Sequence, residues 1–295
     1  MIYIGNLLPS GRIIFLLVIF LPLLASFANA EESKKLVAFD YAIADTLSAL
    51  QQPPLAMAGL AQYRRFYREL LLPDTRELGN RFQPNFEYLA SLEPDAILIS
   101  PPAHLNLEDK LSSIADVIKI PLFGENLNIW QNLEQLTREV GKLNDQQQQA
   151  EELIESVEAR LAVARLAVIA AQIKRPAEPL FIAQILDDRH LRLFGPGSLE
   201  DMVLTQLGLE NAWQGPTNDW GFSILTISEA FQLEGRFILL HAAYNLSDAA
   251  LPTSGLWQHW LDDTPINIEV NYWQWGGFFS ALRLAESLKE ALENT

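Results

Sequence analysis

The sequence predicts an α/β protein of two mixed lobes joined by one long rigid helix, and three observations carry that expectation. Short apolar runs alternate with amphipathic segments through the first third of the chain beyond residue 30, the pattern of stacked βαβ units. From Lys142 to Arg175 there is neither Gly nor Pro, and Ala, Glu, Gln, Leu and Arg dominate, so this stretch reads as one helix. After Pro176 the alternation resumes. The expected organisation is a leader over 1–30, an N-terminal α/β lobe over 31–141, a linking helix over 142–175 and a C-terminal α/β lobe over 176–295.

The leader reads as a secretory signal. Arg12 supplies the positive charge, Ile13 to Leu24 is apolar apart from Pro22, and Ala28-Asn29-Ala30 offers small residues before a cut ahead of Glu31. A helix over that apolar run spans only about 18 Å, short of a ~30 Å hydrocarbon core, which argues against a membrane anchor. No cysteine follows the run to carry a lipid, so a soluble exported protein is expected.

In the first lobe, Lys35 to Phe39 is the first strand. Asp40 caps a helix through Leu50, Pro53-Pro54 ends it, and Leu55 to Gly59 is a short second strand. Pro84 to Leu89 reads as a helix with Pro in its first turn, followed by the strand Ala96–Ser100. A further helix, the strand Val117–Ile120 and a helix from about Leu127 to Val140 complete the unit. In the linking helix Leu153, Val157, Leu161, Ala164 and Val168 form one apolar stripe, and about thirty helical residues would reach ~45 Å, enough to bridge two lobes; a surface coiled coil is the alternative, against which the stripe holds for too few heptads. The second lobe is expected to hold strands at 179–186, 191–194, 236–241 and 266–270, with helices at 198–207, 228–233 and 277–292.

Charge and composition exclude several functions. Asp plus Glu outnumber Lys plus Arg by 37 to 21, a formal charge of −16, and loss of Arg12 with the leader gives 20 − 37 = −17. Nucleic-acid binding needs basic surface, so it is not expected. With no cysteine there is no thiol nucleophile, thiolate metal site or thiol redox chemistry. Asp187-Asp188-Arg189-His190 reads as a turn between strands, and Ser198 after Gly195-Pro196-Gly197 reads as a helix cap, since it is followed by Leu199-Glu200 and the final glycine of a nucleophile elbow is lacking. His104, His190, His241 and His259 are scattered without i+4 partners, and no phosphate-binding glycine fingerprint occurs, so neither a metal site nor an enzyme is expected.

Binding residues stand out instead. Six of the seven tryptophans fall between Trp213 and Trp275. Trp257 and Trp260, three apart on an expected helix, read as core. Trp220 and Trp273 lie in Gly- and Asn-rich loops, where aromatic rings line a binding surface more often than they fill a core. A second aromatic and basic group is Tyr63-Arg64-Arg65-Phe66-Tyr67-Arg68, for which a solvated helix face is an equal explanation.

The stretches Leu36-Val-Ala-Phe39, Gly79-Asn-Arg-Phe-Gln-Pro-Asn-Phe-Glu-Tyr-Leu89, Asp188-Arg-His190, Phe194-Gly-Pro196, Asn211-Ala-Trp-Gln-Gly215 and Thr217-Asn-Asp-Trp-Gly221 carry a resemblance over essentially the whole chain beyond the leader. The chain resembles the periplasmic substrate-binding proteins of iron-siderophore ABC transporters, most closely the ferric-hydroxamate (ferrichrome) binders of Gram-negative bacteria. The resemblance implies two α/β lobes with a helical backbone, a periplasmic location, a ferric hydroxamate as ligand, an inner-membrane ABC permease as partner, a monomer, and no cofactor or protein-bound metal. It implies that Arg81 contacts hydroxamate and that Trp220 and Trp273 line the ligand site. The family's ligand-contacting tyrosine falls near Ala103 or His104, Phe66 stands where the family has another aromatic, and Trp275 where it has tyrosine. It also implies one permease-docking glutamate per lobe, matching Glu108 and Glu229, although an acid near a helix start is favoured by the helix dipole in any case. A cobalamin or haem binder of the same fold is the alternative, with an exported hydrolase behind it.

Overall fold

The computed structural model describes residues 34–66, 74–124, 128–172, 178–242, 257 and 266–294. The leader expected over 1–30 and most of the expected helix bearing Trp257 and Trp260 lie outside the described residues. Residues Ser33–Thr295 form one compact unit.

The first half builds an all-parallel sheet. Its elements run β1 (Leu36–Ala38), α1 (Tyr41–Ala49), β2 (Ala56–Met57), α2 (Leu60–Phe66), β3 (Arg76–Glu77), β4 (Gly79–Asn80), β5 (Gln83–Pro84), α3 (Phe86–Ser91), β6 (Ala96–Ile99), a 3-10 turn Leu105–Leu107, α4 (Glu108–Ser112), β7 (Asp116–Lys119) and α5 (Ile129–Leu143). The strand order is β3-β2-β1-β6-β7, with Val37 opposite both Ala56 and Ile97. Every residue of β1 and β6 is buried, as expected of parallel strands covered on both faces. Asp40 caps α1 as expected, its Oδ1 accepting from Ala42 N at 2.8 Å.

Pro84 departs from expectation: it lies outside the helix, paired with Gly79 in the β4–β5 hairpin, and Asn85 caps α3 by accepting from Tyr88 N at 2.9 Å. The asparagine oxygen satisfies a helix-end donor, while proline, having none to offer a ladder, suits the edge of a two-stranded ribbon.

The long helix also differs. α6 runs Gln147–Gln172; Lys142 and Leu143 belong to α5, and residues 173–175 lie outside the described residues. Between them Asp145 takes φ +55°, a left-handed conformation that Asn and Asp tolerate, and Gln146 N returns to Gly141 O at 2.7 Å. α5 and α6 therefore pack as a hairpin, so closely that a Cβ on Gly141 would fall 2.6 Å from Ala150 Cβ. The buried stripe is Ala150, Ile154, Val157, Leu161, Ala164 and Val168; Leu153 is half-buried beside it. At 1.5 Å per residue α6 is about 39 Å long.

The second half builds a mixed sheet from β8 (Leu180–Ile185), β9 (His190–Phe194), α7 (Leu199–Leu207), β10 (Phe222–Thr226), α8 (Ile227–Ala230), β11 (Arg236–Ala242), β12 (Ile266–Val270) and α9 (Phe278–Glu293). Its order is β10-β9-β8-β11-β12, antiparallel across β10-β9-β8 and parallel across β8-β11-β12. β10 is an addition to the sequence reading: as an edge strand with Ile224 turned outward it lacks the buried alternation that announces a strand. Asp187 forms the expected turn, accepting from Arg189 N and His190 N at 2.8 Å each, and Ser198 caps α7. Trp257 is buried, with Nε1 donating to Asp188 O at 2.6 Å.

One apolar core serves both sheets. Leu36 and Leu98 of the first and Ile182 and Ile238 of the second belong to the same buried cluster, connected through α1, α5, α6, α7 and α9. At its centre a Cβ on Gly277 would lie 3.4 Å from Ala42 O, so α9 begins directly against α1.

Candidate functional site

Where the C-terminal ends of the two sheets face each other lies a cavity of about 900 Å³. One wall is the β4–β5 hairpin with the loops after β1 and β2. Arg81, at the hairpin tip, lays its stem over Gly59, whose φ of +78° and missing side chain make the passage possible: a Cβ there would meet Arg81 Cγ and Tyr41 Oη at 2.7 Å each. Gly59 also donates its N–H to Gly79 O at 2.7 Å and accepts from Tyr41 Oη at 3.0 Å, fixing the hairpin to the sheet. The Arg81 guanidinium carbon then rests 4.3 Å from the Tyr41 ring centre, 5.5 Å from Trp273 and 5.8 Å from Phe82, with Nη2 3.6 Å from Asp40 Oδ2. Burial raises the Asp40 carboxyl above its usual range, opposed by the Arg81 charge and the capping N–H groups.

The opposite wall is aromatic. Trp220 precedes β10, Phe222 opens it, and Trp273 and Trp275 follow β12; all four line the cavity. Ring centres are 5.0 Å apart for Trp273–Trp275, 6.0 Å for Trp220–Trp275 and 6.3 Å for Phe222–Trp275, mostly edge-to-face or tilted. Arg192 supports this wall from within the lobe, 4.4 Å from the Phe222 ring and 5.1 Å from Trp275, and donates through Nη1 to Gln184 Oε1 at 2.9 Å. Trp273 joins the two walls, meeting Tyr41 at 5.2 Å and Phe66 at 5.0 Å.

Of the residues singled out from sequence, Arg81, Trp220, Trp273 and Trp275 converge on the cavity. Phe66 and His104 do not reach its surface. Phe66 ends α2 on the helix's inward face and is buried behind Trp273. His104 is 0% exposed, edge-on to Phe39 at 6.0 Å and covered by Phe82 stacked at 5.8 Å, and neither ring nitrogen makes a well-formed hydrogen bond. Burial, joined by the Arg81 charge, pushes its pKa down to about 4, so the imidazole is neutral. Ala103, its neighbour, lines the cavity.

Phe82, Phe222, Gly59, Asp40 and Glu77 also line the cavity, none of them singled out for it by the sequence. Phe82 lay within the hairpin stretch but carried no periodicity of its own, and the Asp40–Arg81 pairing joins positions far apart in the chain. Glu108 and Glu229 sit apart from the cavity lining. Glu108 starts α4 and accepts from Lys119 Nζ at 2.8 Å; Glu229 closes a capping box on α8, accepting from Thr226 N at 2.7 Å. Among the described residues no group of three or more His, Asp or Glu is placed to hold a metal ion, and no helix is long and apolar enough to cross a membrane.

The iron(3+)-hydroxamate-binding protein FhuD of Escherichia coli K12 is 28% identical over 248 residues, covering 78% of this chain and 77% of that one. FhuD of Vibrio cholerae, solved with Fe3+-Desferal, superposes with a TM-score of 0.77 at 22% identity, covering 88% of this chain and 98% of its own. The triscatecholate siderophore binding protein FeuA of Bacillus subtilis, solved with ferri-bacillibactin, gives 0.71 at 13% identity, covering 89% and 93%. At such identities the solved structures speak to the fold, which is the one described above. The family model described as periplasmic binding protein matches residues 36–259, and the chain belongs to that family.

Proposed function

We propose that this protein is the periplasmic component of an ABC importer that captures a ferric hydroxamate siderophore and delivers it to an inner-membrane permease. It acts as a receptor, without catalysis and without a cofactor, as a monomer exported by its leader, and its two lobes are joined through α6. The observation that carries the reading is the cavity itself: one guanidinium held on aromatic rings faces a wall of three tryptophans and a phenylalanine.

That chemistry suits a trihydroxamate. Such a ligand wraps Fe(III) with six oxygens of its own and neutralises it, so the protein needs no metal ligands. Arg81 donates charge-assisted hydrogen bonds to the outward hydroxamate oxygens, and Trp220, Trp273 and Trp275 cover the apolar linkers. A ferric tris-catecholate carries three negative charges and would meet Asp40 and Glu77 in the lining, where Arg81 is the one cation among the described residues. The hydroxamate named for the Escherichia coli relative agrees with this chemistry. His104 enters the site only by displacement of Phe82, and Phe66 acts by supporting Trp273. Glu108 and Glu229 are the proposed permease contacts, one beside each sheet.

Titration of the protein with ferrichrome, ferrioxamine B, a ferric catecholate, cobalamin and haem, followed by tryptophan fluorescence, tests the reading. Quenching by the hydroxamates is expected; a response to cobalamin or haem alone would overturn it.

A further inference from the structure

At the end of the cavity formed by β3 and the start of α2, the lining is rich in acceptors and poor in cations. Glu77 Oε2 accepts from Ala61 N at 2.7 Å and Oε1 from Gly79 N at 2.8 Å, so the carboxylate is held in place by two backbone donors while roughly half of its acceptor positions stay open. No Lys, Arg or His among the described residues pairs with it. Two side-chain amides share this lining and are likewise fixed: Gln62 Oε1 accepts from Tyr41 Oη at 3.1 Å, and Asn80 Oδ1 accepts from Phe82 N at 2.8 Å. Arg81, the one cation among the described residues of the lining, is turned to Asp40.

We propose that the Glu77 end of the cavity is a subsite for a primary ammonium group, and that the cleft therefore favours linear ferric trihydroxamates that end in an amine. The proposal rests on the siderophore reading and names the subclass of ligand within it. An ammonium brings three donors and one positive charge to an anchored carboxylate flanked by amide oxygens, and because these side chains are solvent-exposed the attraction is that of an exposed ion pair. Because the backbone already orders the carboxylate, little side-chain freedom is lost on binding.

Ferrioxamine B and its N-acetyl derivative test this directly, since acetylation removes the charge and leaves the iron centre unchanged. In fluorescence titrations at low salt the protein is expected to favour the ammonium form on the order of fivefold, the ratio that corresponds to about 1 kcal/mol for one exposed ion pair. The preference should shrink with added salt, and Glu77→Gln should bring the two ligands to equal affinity. Equal affinities in the unsubstituted protein, or a preference that survives Glu77→Gln, would overturn the subsite while leaving the siderophore reading intact. Failure of both ferrioxamines to bind would overturn both.

Discussion

Replacing Gly59 by alanine perturbs the site through a single methyl group. Two consequences can be separated. At φ +78° an L-residue costs about 1–2 kcal/mol of stability, and the new Cβ would stand 2.7 Å from Arg81 Cγ and from Tyr41 Oη, so the arginine stem must leave its path over the glycine. Gly79 supplies the control: its φ is +87°, yet nothing lies within 4 Å of where its Cβ would be. Gly59→Ala and Gly79→Ala should therefore share the backbone strain, lowering the melting temperature by a few degrees, about 2–4 °C per kcal/mol for a chain of this size. Only Gly59→Ala should also misplace the guanidinium, removing charge-assisted hydrogen bonds worth about 1.5–3 kcal/mol, roughly a tenfold to hundredfold rise in Kd. Calorimetry reads the first effect and titration with ferrioxamine B the second. If the two variants bind alike, Arg81 does not depend on Gly59 for its position and the reasoning is wrong.

Arg81→Ala should weaken hydroxamate binding by about the same 1.5–3 kcal/mol in that titration, and an unchanged Kd would make Arg81 a structural partner of Asp40 only. Trp220→Ala should reduce both affinity and fluorescence response, whereas Trp273→Ala, which also removes contacts to Tyr41 and Phe66, should in addition lower the melting temperature; equal melting curves for the two would contradict the packing described. Burial pushes the Glu200 carboxyl up to about 8 from 4.5, with Tyr272 Oη 3.2 Å away. Between those values the folded state keeps a proton that the unfolded chain has released, so this contribution to stability is complete below pH ~4.5 and is lost as the pH rises towards 8. Glu200→Gln should flatten that decline in a series of melts. For docking, Glu108→Gln with Glu229→Gln keeps amide oxygens for Lys119 and the capping box while removing both charges; growth on the siderophore should fall with ligand affinity retained, and normal growth would leave the two glutamates as structural groups.

Much of the fold could be read in the chain because its signals are local. Asp40 and Ser198 announced helix starts, Asp187 a turn, and the Gly- and Pro-free run a long helix. What escaped depended on neighbours remote in sequence. The break at Asp145 is set by the close approach of Gly141 and Ala150, and β10 is defined by pairing with β9 rather than by its own pattern. In the site, loop placement identified Trp220 and Trp273, and the resemblance identified Arg81 and Trp275. For Phe66 and His104 the resemblance gives position alone, and position does not reveal that one supports a ring and the other lies beneath one. Gly59 showed nothing in sequence beyond being a glycine, since its role exists only once the hairpin crosses it.

The core shared by the two sheets makes the cleft a moulded cup rather than a jaw. Opening it would part Gly277 from Ala42 and pull Trp273 from Tyr41 and Phe66, exposing interior that has no second place to pack. The same contacts hold the aromatic walls at a fixed separation, and among the described aromatic residues of the lining only Phe82, 52% open to solvent, stands clear of that packing.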